Sequence, residues 1–150
     1  MIEEKLLIGA VQHIKYELDM LNYATHQLIR SDLSIEERNV CVEAFVIHAR
    51  CLTDFLYTPA TAHKDDILAE HYFTNPSDYF RNRPEMHALL SVAKGRANKE
   101  MAHLTYNRVG KTLEEKQWSL EIYNEINLAF SKFLNSLSPE RRAWFPIRYE

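Results

Sequence analysis

Apolar residues recur at intervals of three and four along most of this chain, and that spacing constrains the fold more than any other feature. Leu6, Ala10, Ile14, Leu18, Leu21, Ala24 and Leu28 share one face of a helix over about 2–29. Ser31-Asp32-Leu33 interrupts the pattern. Ser34 with Glu37 then reads as a capping box that opens a second helix. Its expected core face is Ile35, Val42, Phe45, Ala49, Leu52 and Leu56, and it ends before Thr58-Pro59. A third stripe, Met86, Leu90, Ala93, Ala97, Met101 and Leu104, belongs to a helix with Pro84 as its first residue. The fourth, Ile122, Ile126, Ala129, Phe133 and Leu137, follows a second capping box at Thr112 and Glu115. Three glycines in 150 residues leave little material for hairpin turns. The expectation is an all-α, single-domain, up-and-down bundle of four long helices spanning residues 1–150.

Two stretches fall outside the stripes. Residues 58–84 read as an irregular insert, with a short helix in "HKDDILAEHYF" and a loop in "TNPSDYFRNRP". Its length marks it for function, and its aromatics imply that it packs onto the bundle. Asp65 and Asp66 suit a helix start by charge. At the C-terminus "SPERRAWF" predicts a last short helix and an apolar tail, which either tucks onto the bundle or meets a partner subunit. Gly95 sits mid-helix, at a cost of about 1 kcal/mol relative to alanine, and predicts a close crossing or a kink.

A formal net charge of −3 provides no global pull toward nucleic acid. Cys41 and Cys51 are ten residues apart on one helix, about 80° apart in direction and roughly 15 Å along the axis. They cannot bridge each other there. Two unpaired thiols, with no signal peptide and no run of 18 apolar residues, point to the cytoplasm and away from a membrane. Glycine is too scarce for a phosphate loop or a nucleotide fingerprint, so no cofactor is expected.

The chemistry narrows to "GRANKEMAHLTYNR". Arg96, Glu100 and His103 share one helical face, with Asn107 continuing it. An Arg96–Glu100 ion pair beside a flanking histidine is the plainer reading. The sharper one couples a proton-moving histidine to a guanidinium that holds phosphate, cleaving RNA without metal. Helix 2 adds His48, expected at the core edge, and Arg50, expected to pair with Asp54. His13 and Glu17 on helix 1, with His48 and His103, are the only set that resembles a bundle metal site.

Arg96-x6-His103 on a late helix of a small bundle resembles the R-x(4–6)-H signature of the HEPN superfamily. "EAFVIHARCLTDFLY", "DDILAEHYF" and "KEMAHLTYNR" are also similar to a family of bacterial proteins of unknown function. The HEPN resemblance implies a homodimer and one of two roles. The first is a non-catalytic binding or assembly module, with an RNA or protein partner. The second is a metal-independent endoribonuclease, with Arg96 and His103 central and His48 or Arg50 in support. Ala97 follows Arg96 where active members commonly carry a polar residue, which favours the first role. The metal-binding bundle is a third expectation.

Overall fold

The computed structural model describes residues 2–59, 65–101 and 105–146, and among them every regular element is helical. Helix α1 spans Glu4–Leu28 and α2 spans Ile35–Tyr57, joined by a six-residue turn. The Ser34 box forms as expected: the Ser34 hydroxyl accepts from the Glu37 N–H at 3.1 Å, and the Ser34 N–H donates to the Glu37 carboxylate at 2.8 Å. Arg38 closes the turn by donating to the carbonyls of Leu28 and Arg30.

The third stripe is shorter and less regular than its sequence implies. Arg83, held extended before Pro84, ends a short helix α3 (Pro76–Asn82). Helix α4 starts only at Ala88, because the His87 imidazole caps it by accepting from the Leu89 N–H. It runs to Arg96 and continues as a wider π turn over Ala97–Met101. Gly95 makes no close crossing. A Cβ built there meets nothing within 4 Å.

The fourth stripe is likewise divided. The Thr112–Glu115 box is formed, but helix α5 covers only Leu113–Lys116. Gln117 is extended, and helix α6 begins afresh at Glu121 and runs to Ser136. The carbonyls of Glu115 and Gln117, which a continuous helix would use internally, accept hydrogen bonds from Arg96 instead. Helix α7 (Pro139–Arg142) turns Phe145 back into the core.

Contacts give the directions of the long segments. The Tyr123 hydroxyl at the start of α6 donates to Asn22 near the end of α1. Near the end of α6, Phe133 packs on Phe55 and Tyr72, and Tyr72 donates to the Leu7 carbonyl near the start of α1. So α6 runs antiparallel to α1. On the other side Lys94 meets Thr58, while Met101 lies by Asn39 and Val42, so α4 runs antiparallel to α2. The segments alternate in direction around an aromatic centre of Phe55, Tyr72, Tyr79, Phe130, Phe133 and Phe145.

The insert supplies two of those rings. A 3₁₀ turn at Ala69–Tyr72 and helix α3 carry Tyr72 and Tyr79 inward, and their hydroxyls donate to the Leu7 and Leu56 carbonyls. A buried phenol needs such a partner. Two expected core residues lie outside instead. Leu6 is 63% exposed and Ile35 75%, with Leu7 and Val11 filling the α1 face.

Candidate functional site

His48 is placed at the α1–α2 seam, Arg50 and Arg96 lie on the side where α4 meets Trp118, and His103 lies outside the described residues. His48 and Arg50 are two residues apart, so their side chains leave α2 about 200° apart. His48 turns toward α1. It is buried, its Nδ1–H donates to Glu17 at 2.6 Å, and its ring edge meets Tyr16 at 5.6 Å between centroids. Arg50 turns toward α4 and sits 3.6 Å from Asp54. Asp54 also takes Lys94 at 2.5 Å and a hydrogen bond from the Thr58 hydroxyl.

Arg96 is held on four sides. Its Nε and Nη2 donate to both oxygens of Glu100, Nη2 also reaches the Glu115 carbonyl at 2.9 Å, and Nη1 reaches that of Gln117 at 3.0 Å. Four of the five guanidinium N–H groups are therefore used. The guanidinium also stacks 4.2 Å from the centroid of Trp118. Glu100 takes a second cation, Lys111. Hydrogen bonds from Arg96, and then from Lys111, hold its carboxyl below the usual glutamate range against the opposing effect of burial. The π turn sets Glu100 beneath both cations, and this clamp pins Trp118 and α5 onto α4.

Of the four residues grouped as metal donors, Glu17 and His48 are joined. Among the described residues no group of three histidine, cysteine or acidic side chains is arranged to hold a metal ion. Cys51 lies at the surface next to this pair, with its thiol partly covered. Burial first, then the charges of Glu17 and Asp54, push its thiol up to about 11. It is a poor nucleophile near neutral pH.

Two surface features were not evident from the stripes. A cleft of about 290 Å³ opens between α2, the π turn and the 105–118 segment, with Arg108, Lys111 and Lys116 on its wall beside Glu43 and Trp118. "NRVGKTLEEKQW" holds its cations at intervals of three and five, but reading Thr112 as the start of one long helix sends them to solvent. The second feature is a ridge along the outer face of the α1–α2 pair. Tyr16, Met20 and Tyr23 are spaced by four and three on α1, and Val40, Ala44, Ile47 and Cys51 by four, three and four on α2, while Ile2 and Leu6 are exposed at the N-terminal end, ten residues short of Tyr16. Most are exposed, including Tyr16 at 54% and Ile47 at 52%. Beside the N-terminal end of this ridge lies a groove of about 760 Å³ between α1 and the segment carrying Ile67 and His71. No helix of the described residues is long and apolar enough to cross a membrane.

Comparison of the chain with family models, with curated proteins and with solved structures finds no match.

Proposed function

We propose that this chain is a non-catalytic binding and assembly module of the HEPN-like type, and that it pairs with a second copy of itself. The observation that carries the first part is the engagement of Arg96. A guanidinium that must receive a scissile phosphate has to offer free N–H groups to it. Here Glu100, two backbone carbonyls and Trp118 take most of that capacity, His48 points to the α1–α2 seam, and Arg50 is held beside Asp54.

The ridge on α1 and α2 supports the second part. The outer face of α2 repeats Val40, Ala44, Ile47 and Cys51 at a mean period near 3.5, the spacing of a helix seam, and Tyr16, Met20 and Tyr23 do the same along the second half of α1. On both helices this face is distinct from the one that meets the core. A two-fold pairing would set this antiparallel pair against its own copy, the isologous geometry of most homodimers. A contiguous exposed apolar face is the mark of such a surface.

Two measurements test the reading. Purified protein in excess EDTA is incubated with a mixed RNA pool beside a His103→Ala variant. The expected result is no cleavage by either, whereas cleavage by the parent alone would replace the module with a nuclease. Sedimentation velocity should give a dimer for the parent and a monomer for Tyr16→Glu with Ile47→Glu. A monomeric parent would remove the self-pairing.

A further inference from the structure

We infer that the cleft between α2, the π turn and the 105–118 segment is a binding site for a small phosphate monoester. This rests on the cleft alone and does not depend on self-association. At about 290 Å³ it lies at the lower end of small-ligand pockets.

Its electrostatics run against those of the chain. The protein carries a net charge of −3, yet Arg108, Lys111 and Lys116 meet on this wall, with Arg96 behind them, against the carboxylates of Glu43 and Glu100. Among the lining residues three cations face two carboxylates, a local excess of one positive charge in a chain whose overall balance is negative. A phosphate monoester carries −1.5 to −2 near neutral pH, which calls for two cations that no carboxylate already holds.

The ion pairs show which cations are available. Lys111 and Arg96 are both bound to Glu100. Among the described residues Arg108 and Lys116 have no acidic partner, and both are exposed at the mouth of the cleft. They are the pair placed to take the phosphoryl oxygens, Arg108 through its fork and Lys116 as a point charge. The lining also has apolar residues. Val42 and Met101 with the indole of Trp118 give the ligand's organic body an apolar surface. Glu43 and the Asn39 amide stand where they accept from a hydroxyl or amino group on that body. The Arg96–Glu100–Lys111 clamp holds this wall in place, which preorganises the site without using the ligand's charge.

Isothermal titration with phenyl phosphate and, separately, with inorganic phosphate tests the site. The expected result is saturable binding of phenyl phosphate, about tenfold tighter than inorganic phosphate and weakened by salt. Arg108→Ser with Lys116→Ser should weaken it by about tenfold or more, with circular dichroism and thermal midpoint unchanged because neither residue holds the fold. Lys116→Arg should retain binding. No binding of phenyl phosphate, equal binding of inorganic phosphate, or binding unmoved by the double variant would each overturn the assignment.

Discussion

The Glu17 carboxylate and the His48 imidazole meet at 2.6 Å across the seam between α1 and α2, a hydrogen bond between side chains that ties the two longest helices together midway along their length. The pair is largely enclosed, with side-chain exposures of 27% for Glu17 and 11% for His48. Removing one partner strands the other in a place water reaches poorly. His48→Ala should therefore cost about 2 kcal/mol in urea unfolding. A double-mutant cycle with Glu17→Gln should return a coupling of about 1 kcal/mol. A coupling near zero would show that each residue acts through packing alone.

Glu100 sets an acid limit on stability. Its carboxyl is held low in the folded protein, first by the Arg96 hydrogen bond and then by Lys111. A carboxyl whose folded pKa is depressed contributes stability that is present above its unfolded pKa of about 4.3. That contribution is lost as the pH falls through the lower folded value. Thermal midpoints of the parent should fall between about pH 5 and pH 3 more steeply than those of Glu100→Gln, which has no proton to gain there. Parallel curves would remove Glu100 from the acid response.

How much of this was legible in the sequence depends on the range of the interaction involved. The α1, α2 and α6 stripes could be read directly, because apolar periodicity reports which face meets the core. The Ser34 and Thr112 boxes were legible too, since capping is local. The Arg96–Glu100 and Arg50–Asp54 pairs follow from i,i+4 spacing. The break after Lys116 was not legible. It depends on Arg96 donating to carbonyls 19 and 21 residues away, and no local pattern marks that. The Glu17–His48 bond spans 31 residues. The cleft was hidden for the same reason: Arg108 and Lys116 converge on Trp118 only because the fourth stripe is divided.

Cys51 is a test of local electrostatics. The residue is at the surface, but its thiol is partly covered and pushed up to about 11, first by that burial and then by the neighbouring charges of Glu17 and Asp54. In a Cys41→Ser background, alkylation by iodoacetamide should be slow at pH 7.5. It should accelerate by about tenfold per pH unit between pH 8 and pH 10, as the thiolate fraction grows. A rate that plateaus below pH 9 would contradict the shift.

Gly95 precedes the π turn with open space where a side chain would go. Nothing there requires glycine, and its φ is not in the left-handed region, unlike that of Gly110 at +80°. Gly95→Ala should therefore stabilise the protein by about 0.5–1 kcal/mol, by lowering the entropy of the unfolded chain. Destabilisation would mean that the widened turn draws on the freedom of this residue.

Arg96 separates a structural role from a chemical one. Its guanidinium joins the π turn to α5 through Glu100, the Glu115 and Gln117 carbonyls and the face of Trp118. Lysine keeps the charge but has neither the fork nor the flat face. Arg96→Lys can hold Glu100 at best, so both carbonyls and the indole lose their partner. The expected cost is about 2 kcal/mol, with a red-shifted Trp118 emission in a Trp144→Phe background as the indole comes free. Phenyl phosphate binding should weaken as well, since the wall that carries Lys116 is no longer pinned. Unchanged stability and emission, combined with loss of an RNA-cleaving activity, would instead assign Arg96 to catalysis.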